Sequence, residues 1–326
     1  MRAWRVHELG EPGDVLHLED VPDPEPGPGE VVVDVAAAAT NVADVLVCRG
    51  EYQVKPPLPF TPGMEVAGTV TAAGEGAAFA VGDRVIGQPA PPRGGYAEKT
   101  VLPAASTYAW PDGMTAAQAA GFFVTYQTGY CALHHRAQLQ AGETLLVNAA
   151  LGGVGTAALQ LGLAAGATVI ATAGGPEKCE QARALGAHHV VDYRSEDLVE
   201  RVRALTDGRG ADVVYDPVGG DTFDAARRVV AFEGRLLVIG FASGRIPDAP
   251  ANHLLVKNYS VVGVHWGRYK DEAPELVRQW HDALVDLSAR GLIDPVVGEE
   301  HPFTDLVPAL DRLAARKTTG KVVLVR

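Results

Sequence analysis

Residues 143–166, ETLLVNAALGGVGTAALQLGLAAG, constrain the fold more than any other stretch. The apolar run Thr144 to Val147 reads as a buried strand, Gly152, Gly153 and Gly155 as a tight turn, and the alanine- and leucine-rich remainder as a helix. Strand, glycine turn and helix make a dinucleotide-binding corner. Glycine lets backbone approach a pyrophosphate, and the first N–H groups of the helix point at its charge. The spacing departs from G-x-G-x-x-G in one place, because Ala150 stands where the first glycine is usual. A glycine-rich helix start needs no ligand. The flanking strand and helix are what favour a nucleotide.

From Thr115 onward the pattern alternates. Strands are expected at Thr144 to Asn148, Thr168 to Ala173, His189 to Asp192, Val213 to Asp216, Arg235 to Phe241 and Ser260 to Val264. Helices are expected between them, at Gly155 to Ala165, Pro176 to Leu185, Asp197 to Thr206 and Thr222 to Val230. Such alternation implies an α/β fold with a doubly wound parallel sheet, and six strands complete a full dinucleotide fold. The first 120 or so residues have another texture. Short β-type runs, Glu30 to Val35, Glu65 to Ala73 and Asp83 to Ile86, are broken by PDPEPGPGE, KPPLPFTPG and QPAPPRGG, which predicts a compact β-rich domain. At the other end a helix over Glu272 to Arg290, a short strand-like piece and a helix over Phe303 to Ala315 lead to KVVLVR, expected to pair back into the N-terminal domain.

Composition narrows the partners. A formal net charge of −12 argues against nucleic acid and anionic membranes. No uncharged apolar run reaches the roughly 20 residues of a membrane span, and MRAWRVHELGEPGD lacks a signal-peptide core, so a cytoplasmic location is expected. Cys48, Cys131 and Cys179 are far apart and form neither a C-x-x-C pair nor a disulfide framework.

A carboxylate at the end of the second strand of a dinucleotide fold binds the ribose hydroxyls of NAD. Here that strand ends in Ala173-Gly174-Gly175, with no carboxylate before Glu177 and with Lys178 following on the helix. A small-residue turn beside a lysine accepts a 2′-phosphate, so NADPH is expected over NADH. Tyr193-Arg194, after the third strand, flanks the same corner. The bland alternative is that Lys178 is a solvated helix lysine.

PFTPGMEVAGTV, VGDRVIG, GGYAEKTVL, AALGGVG, ALGAHHVVDY and GKVVLVR occur in an order that resembles the medium-chain dehydrogenase/reductase superfamily, and more narrowly its zinc-free quinone oxidoreductase branch. The resemblance runs from Met1 to Arg326. It implies a split GroES-like catalytic domain, residues 1–122 and 266–326, and a Rossmann domain, residues 123–265, with an active-site cleft between them. Zinc-dependent relatives carry an early cysteine ligand, a Gly-His-Glu motif and a four-cysteine lobe. This chain has Asn41-Val42-Ala43-Asp44, Gly63-Met64-Glu65 and no room for the lobe between Gly87 and Gly94, so no metal site is expected.

By the same resemblance Asn41 and Tyr52 lie near the nicotinamide, Thr125 enters the Rossmann domain, and Gly152, Gly153 and Val154 line the pyrophosphate. Gly175, Lys178 and Tyr193 surround the adenosine phosphate. Val218 borders the adenine side, and Phe241, Ala242, Ser243, Val264, His265 and Trp266 follow the fifth and sixth strands. The implied activity is hydride transfer from NADPH to a quinone or an α,β-unsaturated carbonyl, with Tyr52 and Asn41 as candidate donors to the developing oxyanion. Asp44 is read either as a solvent-side proton carrier or as purely structural. A 2-enoyl thioester reductase and a non-catalytic NADPH-binding protein are the competing readings. The apolar segment Tyr259 to Val264 is expected at the sheet edge, where, by resemblance, two subunits join as a homodimer.

Overall fold

The computed structural model describes residues 1–326. The chain forms two compact units, residues 1–124 with 295–326, and residues 125–294.

In the first unit β1 (Arg2–Val6) and β2 (Leu16–Asp20) form a two-stranded antiparallel ribbon. The larger sheet contains β3 (Glu30–Ala39), β4 (Glu65–Ala73), β5 (Arg84–Gly87), β6 (Lys99–Pro103) and β7 (Thr107–Ala109). The sheet is completed from the far end of the chain by β14 (Val297–Pro302) and β15 (Lys321–Val325), in the order β14-β15-β3-β4-β5-β7, with β6 also on β3. KVVLVR does return as expected: Val323, Leu324 and Val325 pair antiparallel with Ala39, Ala38 and Ala37. Alternation explains the packing. Val33, Val66, Leu102, Val322 and Leu324 enter one apolar core with Phe60, Tyr96 and Leu306. The helix Leu306–Ala314 closes that core, and Trp4 Nε1 donates to Phe303 O at 3.0 Å.

The second unit is built on a six-stranded parallel sheet. Its strands are β8 (Thr144–Val147), β9 (Thr168–Ala173), β10 (His189–Asp192), β11 (Ala211–Asp216), β12 (Val230–Val238) and β13 (Ser260–Gly263). Their order is β10-β9-β8-β11-β12-β13, with every pairing parallel. In sequence order this is 3-2-1-4-5-6, so the winding reverses beside β8. Leu146, Ile170, Val191, Val214 and Leu236 are buried in its core. The first, fourth and sixth strands differ from expectation by one or two residues at one end, and the larger departures follow β11. The fifth strand starts earlier and ends at Val238, leaving Phe241 in the following loop, and the helix after β11 is Gly220–Ala226.

The second domain boundary also differs. It falls at 294/295 rather than at 265/266. Residues 266–294 stay with this unit because their helix, Pro274–Ala289, and the segment after it are tied by polar bonds to the helices Ala116–Tyr130 and Gly153–Ala164. Gln127 Nε2 donates to Val277 O at 3.3 Å, and Gln160 binds the backbone of Asp294 through both its amide nitrogen and its oxygen. Trp280 packs on His135. No helix is long and apolar enough to cross a membrane.

Candidate functional site

The post-strand positions of the parallel sheet form one array. Gly152, Gly153 and Val154 follow β8, Gly175 follows β9, Tyr193 follows β10, Val218 follows β11, Phe241, Ala242 and Ser243 follow β12, and Val264, His265 and Trp266 follow β13. All lie past the carboxyl ends of parallel strands, where such sheets bind ligands. Thr125 lies elsewhere, buried within the helix Ala116–Tyr130. Gly152 is the N-cap of the helix Gly153–Ala164, so the glycine turn delivers free N–H groups at a helix start. A Cβ on Gly155 would stand 2.2 Å from Ala149 O, a contact with backbone that cannot yield. The Ala150 departure is accommodated because Ala149 takes the left-handed turn, with φ 48°, and Ala150 N donates to Thr172 O.

Beyond β9 the backbone is again shaped by glycine. Gly175 has φ 91° and starts the helix Pro176–Ala184, which carries Lys178. A Cβ on Gly174 would lie 2.4 Å from the Tyr193 hydroxyl and 3.1 Å from Arg194 Nε. Tyr193 and Arg194 therefore roof this turn. Lys178 has its pKa lowered, first by burial and then by the Arg194 charge. Two cations held close enough to repel are a setting that a phosphate relieves. The sequence placed Tyr193-Arg194 at this same corner; the fold sets the Arg194 charge close enough to Lys178 to lower its pKa.

A carboxylate is nevertheless close. Asp192, at the end of β10, accepts from Gly175 N and Arg194 N at 2.8 and 3.0 Å, and these bonds lower its pKa. It fixes the turn, and its charge is engaged by backbone. On the other side of the winding reversal Asp216 accepts from Val218 N, Gly219 N and Asn148 Nδ2, while burial pushes its carboxyl up to about 6. Asn148 Oδ1 is buried without a partner. Val218 O receives Ser243 N, and Pro217 O receives Ala242 N, so the loops after β11 and β12 brace each other.

The other candidates lie in the β-rich unit, where distant segments meet. Asn41 caps the helix Val42–Cys48. Its Nδ2 donates to Glu65 Oε1 at 3.1 Å and toward Ala39 O at 3.4 Å, and its Oδ1 accepts from Lys321 Nζ at 2.8 Å. An ammonium only donates and a carboxylate only accepts, so the amide orientation is fixed by its neighbours. Lys321 also binds Thr40 O and Glu65 Oε1, both at 2.8 Å, and the second Glu65 oxygen accepts Val124 N at 2.8 Å. The Lys321 and Glu65 side chains are 5% and 0% exposed, so this is an ion pair withdrawn from water.

Asp44 is not solvent-side, which corrects one of its two expected readings. It is 1% exposed, with Oδ2 accepting from the Tyr96 hydroxyl at 2.7 Å and from Asn41 N at 2.8 Å. Burial pushes its carboxyl up to about 6 against the pull of those bonds, and Oδ1 has no partner. Asp44 lies at the third helical position, under the Tyr96 hydroxyl and away from the surface. Tyr52 lies in the loop that follows, half-buried against the unit's core. Its phenol is pushed up, first by burial and then by Asp44, so the hydroxyl keeps its proton and can donate it. The involvement of Lys321, Glu65 and Tyr96 escaped sequence reasoning. The GKVVLVR motif carried Lys321 in plain view, but nothing in the sequence brings it to Asn41.

Comparison with known proteins follows this division. Residues 27–112 match the model of the alcohol dehydrogenase GroES-like domain, and residues 153–282 match that of the zinc-binding dehydrogenase domain. The chain is 40% identical to a rat quinone oxidoreductase-like protein 2, over 99% of the chain and 91% of that protein. An Escherichia coli quinone oxidoreductase complexed with NADPH superimposes with a TM-score of 0.93 at 31% identity, covering all of both chains. A mycobacterial protein complexed with NADPH gives 0.92 at 35%, also over the whole of both.

Proposed function

The chain belongs to the medium-chain dehydrogenase/reductase superfamily, in its quinone oxidoreductase branch, and on that footing we propose that it reduces quinones or α,β-unsaturated carbonyls at the expense of NADPH. NADPH is the cofactor. The residues fit it: glycines leave room for a pyrophosphate at a helix start, and Lys178 with Arg194 suits a 2′-phosphate. Bound NADPH supplies the hydride.

The observation that carries the substrate class is the full engagement of the Glu65 carboxylate in the β-rich unit. Glu65 gives both oxygens to an ammonium, an amide and a backbone N–H, and Met64 stands beside it instead of an imidazole. Zinc has no ligand set here, and polarising a substrate carbonyl falls to hydrogen-bond donors. Donors alone suffice for a conjugated acceptor, whose negative charge spreads into an enolate or a hydroquinone anion as hydride arrives. The Tyr52 hydroxyl and one N–H of Asn41 are those donors. Assembly through β13 as a homodimer completes the proposal: Leu255 and Val256, beside that edge, are 77% and 79% exposed. Light scattering at micromolar concentration should return a dimer; a monomer removes this part.

The test is NADPH oxidation measured over quinones, enones and 2-enoyl thioesters, with wild type and Tyr52→Phe. We expect turnover on the first two classes. Tyr52→Phe should lower turnover about tenfold on an enone and less on a quinone, which is the easier to reduce. Turnover confined to thioesters would reassign the substrate. Tight NADPH binding without any turnover would favour a non-catalytic role.

A further inference from the structure

We propose that Lys321 is a positioning residue for the reductase site, setting and polarising the Asn41 carboxamide; this rests on the reading that Asn41 meets the substrate. Lys321 begins the last strand, yet its stem runs against Gly121 and its ammonium ends at the head of the helix Val42–Cys48. A Cβ on Gly121 would lie 3.0 Å from Lys321 Cγ, so the absence of a side chain there gives the lysine its path. The ammonium has three protons and three oxygen acceptors, Thr40 O, Asn41 Oδ1 and Glu65 Oε1, each at 2.8 Å. All three are spent on fixing this one corner.

The consequence falls on Asn41. One amide N–H is held by Glu65 at 3.1 Å, and the other has only Ala39 O, at 3.4 Å. That second N–H is therefore the one free to turn to a substrate oxygen. A cation bonded to Oδ1 draws electron density from the nitrogen, and a donor polarised through its own carbonyl is the stronger donor. Stability does not demand this arrangement, since a buried ion pair is often matched by a well-packed apolar pair. What an apolar pair cannot do is orient an amide.

Lys321→Met alone leaves Glu65 buried and unpaired, so the informative variant is the double Lys321→Met/Glu65→Gln, which removes both charges together. In that variant kcat on an enone should fall about tenfold, with the Kd for NADPH within about twofold of wild type. The isotope effect on kcat with NADPH deuterated at the transferred position should rise, because hydride transfer becomes the slow step. The Asn41 side-chain amide protons, followed by NMR, should lose protection from exchange. Wild-type kcat and isotope effect in the folded double variant would overturn the proposal. If wild type itself turns over no conjugated carbonyl, the reductase reading fails separately, and the Asn41 amide protons still decide: unchanged exchange in the double variant overturns the positioning role.

Discussion

The glycine corner of the parallel sheet and the charged cluster of the β-rich unit reach their purposes by opposite means. In the corner, backbone sets the geometry. Residues 153–155 leave N–H groups without intrahelical partners at a helix start, and the decisive property is the lack of side chains at Gly152, Gly153 and Gly155. In the cluster, charged and polar side chains make the central bonds, and backbone groups only complete their shells. Lys321, Glu65, Asn41, Asp44 and Tyr96 form one buried network across sequence separations of up to 280 residues. The corner fails by steric intrusion, and the cluster fails by unbalanced charge.

The largest effect expected from breaking this contrast is at Gly155. Valine there drives carbon into Ala149 O and should cost about 3 kcal/mol or more of stability, read by chemical denaturation, together with most of the NADPH affinity. Gly152→Ala is the sharpening control. Its Cβ would meet Ala149 O at an ordinary 3.5 Å, so the fold should be unchanged within about 0.5 kcal/mol while NADPH binding weakens. Equal destabilisation by both substitutions would show that steric exclusion is not what the corner depends on.

In the cluster the matching probe is Asp44→Asn. The Asp44 carboxyl has an ordinary value of 3.8 and is pushed up to about 6 when folded, so the folded state holds its proton more tightly than the unfolded chain. Its contribution is fully present below pH 3.8 and is lost as pH rises through about 6. Asparagine keeps the acceptor and removes the titration. Relative to wild type, Asp44→Asn should gain up to about 3 kcal/mol between pH 3.8 and pH 7. Asp216, pushed up to about 6 as well, is present in both proteins and cancels in the comparison. A stability difference that is flat with pH would mean that Asp44 is not held protonated by its burial.

A smaller effect is expected where the two styles meet, at Lys178 and Arg194, side chains placed over a glycine turn. Lys178→Ala should weaken NADPH by about 1–3 kcal/mol and leave NADH unchanged, read by titrating both cofactors. Arg194→Ala should act in the same direction. Equal losses for both cofactors would place these cations away from the 2′-phosphate.

The same contrast explains what was legible. The strands Thr168–Ala173 and His189–Asp192 were read to the residue, because an apolar run bounded by turn residues is a local signal. The end of β12 was overshot, since VIGFA stays apolar after the ladder stops at Val238. The boundary was expected at 265/266 and falls at 294/295 because the residues that tie 266–294 to their unit, Gln127 to Val277 and Gln160 to Asp294, are polar and far apart in sequence. Asp44 was open to a solvent-side reading because burial is a property of the packed core around it.

By itself the sequence determined the α/β class, the glycine corner, the absence of a carboxylate after β9 and the return of the final strand, because each is encoded within a few neighbouring residues. Only the tertiary structure decided that Lys321 pairs with Glu65 and that Asp44 is sealed beneath Tyr96. Electrostatic interactions depend on distance and on the exclusion of water, and neither is set until the chain has closed upon itself.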